Sequence, residues 1–283
     1  MTGITRNEAA EAVGELFGTV PYYIGTYYRT WGVEDPEGKE WKFTYDSSIH
    51  AQRREGDRYI NAGKDYKTEM VSPKLEYSEM EKLQNVVRCL RQHGGKVNSS
   101  CGMHVHVDAA NHTPRSLKNA LTIMYSKEDI LFKALKVNPS RVEQWCKKVR
   151  GNVLTDIRKM PSGTMSMEQL RRLWYEEQRN GGDSHSHYDQ TRYYALNLHA
   201  VFDKGTVEWR CFNSTLHAGK VRANTEITEN PCFTFRTFLL RLGLIGPEYK
   251  NVREHLLANL EGDRAWRYDK SNYECLRKNG EIR

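Results

Sequence analysis

Histidines and a carboxylate alternate along the segment 104–108, which reads His-Val-His-Val-Asp. On a β-strand successive side chains point to opposite faces, so His104, His106 and Asp108 share one face and the two valines share the other. Imidazole and carboxylate groups are common metal ligands, and this face could therefore bind a metal ion. The same pattern is also typical of histidines on the polar face of an ordinary strand.

Three further segments place chemically active residues beside apolar neighbours. Glu208 and Arg210 share a strand face, and a carboxylate beside a guanidinium suits a metal ligand next to a phosphate-binding group. Taken alone, the two could also form a surface ion pair. Glu69 lies in a third apolar segment, and Asn197 and His199 share a face in a fourth. Together these segments predict a polar trough that binds cations and anions.

Alternating and helical patterns indicate the elements that carry these residues. Predicted strands are 40–45, 66–71, 103–108, 192–202 and 205–213, with a polar loop over 50–65. The last two strands are predicted to form an antiparallel hairpin through Asp203-Lys204-Gly205. Capping boxes predict helices that begin near Thr5-x-x-Glu8, Ser78-x-x-Glu81 and Thr113-Pro114, and further helices are predicted within 138–180, 233–242 and 251–260.

Strands and helices mixed without a regular βαβ alternation predict an α+β fold and a single domain over residues 1–283. If the polar strands belong to one sheet, its concave polar face carries the site and its other face packs on helices.

Composition narrows the function classes. The net charge is +7, from 43 Lys and Arg against 36 Asp and Glu, and the two signs are interleaved. This balance predicts no dedicated nucleic-acid surface but suits an anionic small substrate. The chain shows no apolar run long enough for a membrane helix and no leader pattern, so we predict a cytoplasmic protein whose six cysteines are reduced and mostly buried.

The linked motifs carry a family resemblance. The runs YKTEMVSPKL, NSSCGMHVHVDAANHTPRSLKN and RYYALNLHAVFDKGTVEWRCFNSTLHAGKVR resemble the phage and bacterial amidoligase family. This family is a branch of the carboxylate-amine ligase superfamily related to glutamine synthetase and glutamate-cysteine ligase. The resemblance implies ATP- and Mg²⁺-dependent amide-bond formation through an acyl phosphate, with Mn²⁺ as a possible substitute, on a strongly curved antiparallel sheet. It implies small-molecule or peptide carboxylate and amine substrates.

The resemblance also implies roles for individual residues. The metal ligands would be Glu69, His104 and Glu208. The ATP-binding residues would be His106 and Arg210, and the catalytic residues would be Arg210, on the transferring phosphoryl group, and Arg192. The substrate-binding residues would be Asp46, Ser48, Asn98 and Asn197.

One part of the family pattern is missing from this sequence. The family opens with a strand reading approximately Gly-x-Glu-x-Glu, whereas this chain opens at Met1-Thr2-Gly3, which matches the segment just after that strand. We expect either a longer natural protein or an enzyme with impaired activity. Two alternative functions stay open: a metal-dependent hydrolase that uses His104 and His106, and a catalytically silent binding protein. The oligomeric state is not predicted.

Overall fold

The computed structural model describes residues 1–149, 151–159, 165–175, 189–229 and 245–257. Its helices are α1 (Arg6–Phe17), α2 (Met80–Gln92), α3 (Pro114–Ala134), α4 (Pro139–Gln144), α5 (Gly151–Lys159), α6 (Met167–Tyr175), α7 (His199–Lys204), α8 (Ala218–Glu229) and α9 (Lys250–Leu257). Its strands are β1 (Tyr22–Tyr23), β2 (Trp31–Glu34), β3 (Glu40–Tyr45), β4 (Gln52–Glu55), β5 (Arg58–Asn61), β6 (Thr68–Val71), β7 (Gly102–Asp108), β8 (Leu196–Asn197) and β9 (Thr206–Asn213). The predicted mixture of helices and antiparallel strands is confirmed.

The chain divides into two compact units, the first made of residues 1–103, 136–141 and 212–223. Its main sheet has the antiparallel order β1-β2-β3-β6. Trp41 and Phe43 are fully buried on one face of β3, while Lys42 between them is exposed. This alternation lets α1 and α2 pack on the apolar face, with Val13, Val86 and Leu90 in the same core.

Met1 lies beside the outer edge of β6 in this first unit. Its ammonium donates to the carbonyl of Thr68 at 2.6 Å, and the N–H of Thr68 donates to the carbonyl of Met1 at 3.1 Å. Two residues that exchange both hydrogen bonds form an antiparallel pair. Met1 is therefore tied to β6 at the residue before Glu69, while Thr2 and Gly3 form isolated bridges with Lys96 and Arg53.

Helix starts were predicted with mixed success. The Thr5–Glu8 capping box of α1 and the Thr113 N-cap of α3 are confirmed. The predicted Ser78–Glu81 capping box is wrong. Glu76 and Glu79 instead form the capping box of a 3₁₀ turn, and α2 begins after it, at Met80. A carboxylate at the first position of such a box accepts backbone N–H groups much as serine does.

The prediction of a loop over residues 50–65 is wrong for the centre of this segment. Strands β4 and β5 pair there as an antiparallel hairpin, with Arg53 opposite Ile60 and Glu55 opposite Arg58. Most of its residues are exposed, so the hairpin has little of the apolar alternation that indicates a half-buried strand.

The second unit comprises residues 104–135, 142–211 and 224–283, of which parts are described. Helix α3 contacts α5, and α5 contacts α6, around the buried side chains of Leu117, Leu121, Ile157 and Leu170. Beside them lies a three-stranded sheet of order β7-β9-β8.

The predicted strand over 192–202 is wrong over most of its length. Residues 190–193 form a 3₁₀ turn, β8 is two residues long, and α7 begins at His199. Gly205 ends α7 in the left-handed conformation, with φ 70°, which leads directly into β9. The two predicted partners still pair antiparallel, with Asn197 opposite Glu208.

Other predictions concern the whole chain. Cys89, Cys101, Cys146 and Cys211 are free and buried as predicted, while Cys232 and Cys275 lie outside the described residues. The helix predicted over 233–242 also lies outside them. No helix in the described ranges combines the length and apolar character that crossing a membrane requires. The single domain and the strongly curved sheet with a missing first strand stay predictions.

Candidate active site around Glu208

Glu208 is the centre of a polar cluster in the second unit. It lies on β9, the central strand between β7 and β8, and only 5% of its surface is exposed. Its Oε1 lies 3.4 Å from Nδ1 of His104 and 3.5 Å from Nε2 of His106. Period-two alternation on β7 brings both imidazoles to this carboxylate, as the sequence predicted.

Arg210 completes the cluster from the same strand. Its Nη1 donates to Oε1 of Glu208 at 2.6 Å, and its Nε donates to the carbonyl of Trp145 at 3.1 Å. The guanidinium is as buried as the carboxylate. A buried ion pair of this kind keeps both charges in place only because hydrogen bonds compensate for the lost water.

The electrostatics of the cluster keep Glu208 ionised. Burial by itself raises the pKa of a carboxyl group, but the hydrogen bond from His106 and the charges of Arg210 and His104 outweigh that effect. The pKa of Glu208 is therefore held well below its usual range. The carboxylate is an acceptor for donors and cations rather than a proton donor at neutral pH.

Asn197 holds the other oxygen of the carboxylate. Its Nδ2 donates to Oε2 of Glu208 at 2.6 Å, and its Oδ1 accepts the backbone N–H of His199 at 2.8 Å. The His199 imidazole lies 2.6 Å from the hydroxyl of Tyr175, measured from Nδ1. Burial lowers the pKa of His199, although Asp189 and Asp203 act in the opposite direction.

Arg192 lies near Arg210, on the same tyrosine ring. It belongs to the 3₁₀ turn before β8, and its guanidinium carbon lies 5.7 Å from the ring centre of Tyr193. The guanidinium of Arg210 lies 5.8 Å from the same ring. Tyr193 is thus an aromatic surface shared by two arginines, which sequence reasoning missed.

The remaining predicted residues lie in the first unit. Glu69 is half-buried on β6 opposite Thr44, on the face that does not pack on α1 and α2. Asp46 closes a turn, with its Oδ1 accepting from the backbone N–H and the hydroxyl of Ser48 at 2.9 and 2.7 Å. Asn98 donates to the carbonyl of His50 at 2.9 Å and accepts from Ser100. Their predicted roles in metal and substrate binding stay predictions.

Sequence reasoning also missed three neighbours of the cluster: Tyr175, Trp145 and Thr206. The hydroxyl of Thr206 lies 2.9 Å from Nδ1 of His106. Thr206 could have been found, since it shares the predicted face of β9 with Glu208. Tyr175 lies 24 residues before His199 in the sequence, on another helix, so no local pattern indicated its contact.

A divalent cation is implied by the family resemblance, and the donor types at Glu208 suit one. Two imidazole nitrogens and a carboxylate oxygen are ligands that Mn²⁺ and Zn²⁺ accept, and Mg²⁺ accepts the carboxylate. As the side chains stand, no group of three His, Cys, Asp or Glu residues in the described ranges is arranged to hold a metal ion. At Glu208 the oxygen that both imidazoles approach is also bonded to Arg210.

Comparison with known proteins agrees with the motifs. Residues 1–230 match the family described as "Putative amidoligase enzyme", and the chain belongs to that family. Neither the curated proteins nor the solved structures gave a match.

Proposed function

We propose that this protein is an ATP-dependent amidoligase that joins a carboxylate to an amine through an acyl phosphate. Family membership supports the reaction class. The observation that carries the proposal is the buried Glu208 carboxylate with two histidines and an arginine on one oxygen. Phosphoryl transfer to a carboxylate brings anions together, so a site for it must supply cationic groups where the charge accumulates.

Each residue of the cluster has a proposed part in this reaction. Glu208 and His104 would hold the divalent cation, which supplies charge neutralisation for the nucleotide phosphates. Arg210 would stabilise the transferring phosphoryl group, and His106 would face the nucleotide. The present bond from Arg210 to Glu208 keeps the guanidinium oriented, because a paired and buried side chain has few alternative rotamers.

The substrates are proposed by class: a small-molecule or peptide carboxylate and an amine. We propose no role for nucleic acid. As the resemblance implies, Glu69 would be a metal ligand, and Asp46, Ser48 and Asn98 would contact substrate. These four assignments rest on the resemblance alone.

Release of ADP tests the proposal. Purified protein is incubated with ATP, Mg²⁺ and pooled amino acids, peptides and amines, and carboxylate-dependent ADP is measured. We expect Glu208→Gln to lower this release by about 10²- to 10³-fold, since it removes a charge that acts in the transition state. Glu168→Gln, an exposed change on α6, is the matched control and should keep full activity.

Three results would count against the amidoligase. ADP release that does not depend on any carboxylate would indicate a plain nucleotidase. Tightly bound zinc without nucleotide affinity would favour the metal-dependent hydrolase built on His104 and His106, whose neutral imidazoles suit zinc. Steeply salt-dependent DNA binding without ATP binding would favour a catalytically silent binding protein.

A further inference from the structure

The carboxamide of Asn197 is fixed at both ends. Its oxygen accepts the backbone N–H of His199 at 2.8 Å, so its nitrogen faces Glu208 and donates to Oε2 at 2.6 Å. Arg210 donates to Oε1 of the same carboxylate. With one donor on each oxygen, the plane of the carboxylate is determined, and its orientation depends on where the N–H of His199 lies.

The first residue of α7 is itself anchored to α6. Nδ1 of His199 and the hydroxyl of Tyr175 are 2.6 Å apart, and both side chains are more than nine-tenths buried. The ring centres of the two residues lie 5.9 Å apart in an edge-to-face arrangement. This pair therefore determines the position of the backbone that holds Asn197.

Only one nitrogen of the His199 imidazole is used in the contact with Tyr175. Its Nε2 is buried and has no hydrogen-bond partner among the described residues. A buried polar atom left unpaired costs about 1–3 kcal/mol. Buried polar groups retained at such a cost occur preferentially where function requires a fixed geometry.

We propose that Tyr175 and His199 are positioning residues that orient the Glu208 carboxylate through Asn197. Asn197 then belongs to the support of the site rather than to the substrate contacts that the family resemblance implied. The use of an oriented Glu208 in ligation rests on the proposed function. The positioning of Glu208 by Tyr175, through His199 and Asn197, does not rest on the proposed function and can be measured in the protein without substrates.

Nuclear magnetic resonance of the side-chain amide of Asn197 in the full chain tests this link. A 2.6 Å bond to a carboxylate should shift one Asn197 amide proton downfield and slow its exchange with water. We expect Tyr175→Phe to raise that exchange rate about tenfold or more, because freeing α7 loosens the bond. Leu170→Val, a buried packing change on the same helix, should leave the rate unchanged.

Two substitutions of His199 separate the imidazole contact from general packing. Asparagine places a carboxamide atom near the position of Nδ1, so His199→Asn should keep the Tyr175 contact and slow exchange, while His199→Ala should lose both. Slow exchange in both Tyr175→Phe and His199→Ala would overturn the proposal, and so would equally fast exchange in Leu170→Val. If ADP release is never found but the exchange rates follow this pattern, the proposed function fails and the positioning role stands.

Discussion

The buried carboxyl groups of Glu208 and Glu128 have pKa values shifted in opposite directions because their neighbours differ. Glu208 has an arginine, an asparagine and two histidines around it, and its pKa is well below the usual range. Glu128 on α3 is equally buried, and its Oε1 accepts the backbone N–H of Val149 at 3.0 Å. Burial raises the pKa of Glu128 to about 7, which the Val149 bond and the Lys148 charge only partly oppose.

Glu128 should make the stability of the protein depend on pH. Its pKa is raised in the folded state, so its contribution is complete below pH 4.5 and is lost as pH rises to about 7. The loss amounts to about 3 kcal/mol, from 1.36 kcal/mol per pKa unit. Glu128→Gln keeps an acceptor for Val149 and should remove this loss.

Urea unfolding at pH 5 and pH 8 measures the effect. Wild-type protein should lose more stability between these pH values than Glu128→Gln, and the exposed change Glu143→Gln should behave like the wild type. Parallel pH profiles for wild type and Glu128→Gln would show that Glu128 does not titrate in this range.

At the residue scale, strand parity predicted which side chains come together around Glu208. The alternation in 104–108 and 206–210 correctly put two histidines, Glu208 and Arg210 on interacting faces, because the period of two is fixed by the backbone. The role of Asn197 could not be predicted in this way. It depends on the register between β8 and β9 and on a helix start at His199, neither of which is encoded in local spacing.

At the scale of the elements, helices and strands are also joined by polar contacts between residues far apart in the sequence, which local sequence patterns do not reveal. The turn between β2 and β3 is held to α2 by Lys82, whose ammonium contacts Asp35 at 2.9 Å, Glu79 at 3.2 Å and also Glu37. Asp35 has a fully buried side chain that also accepts from the indole of Trp41. Burial raises the pKa of Asp35, but the bonds from Lys82, the Lys39 backbone and Trp41 lower it below its usual value.

Removing Lys82 should destabilise the first unit strongly. Lys82→Met leaves the Asp35 carboxylate buried without its cation, which costs about 3–5 kcal/mol. Asp35 contributes stability above its unfolded pKa and loses it as pH falls through the lower folded pKa. The deficit of Lys82→Met should therefore be largest near neutral pH and shrink below pH 4.

Chemical denaturation across pH 3–7 checks this prediction. Lys42→Met, on the exposed side of β3, is the control and should cost little, since its contact with Glu40 is a surface ion pair. A deficit in Lys82→Met that is small at pH 7, or that grows in acid, would contradict the assignment.

At the element scale, prediction failed where burial was absent or local signals conflicted. The β4–β5 hairpin presents charged residues on both faces, so it lacks the alternation that identifies strands. The segment after Asn197 contains Val201 and Phe202, which favour strands, yet it forms a helical turn that ends at Gly205. Strong caps such as Thr113-Pro114 were read correctly, because they act within four residues.

At the scale of the whole molecule, the family assignment is more specific than any single motif. A lone His-x-His pair or Glu-x-Arg pair occurs in many strands, whereas the family match covers residues 1–230. Under the proposed function Arg210 would bind nucleotide phosphate, a local role that the net charge of +7 does not reveal.

Binding of ATP in the presence of Mg²⁺, measured by titration calorimetry with metal analysis of the same sample, tests the central claim most directly. We predict Mg²⁺-dependent binding by the wild type, weakened about tenfold or more in Arg210→Met, since a charge-assisted contact to phosphate is lost. Arg115→Met, an exposed change on α3, should bind like the wild type. Tightly bound zinc together with no affinity for ATP would contradict the account.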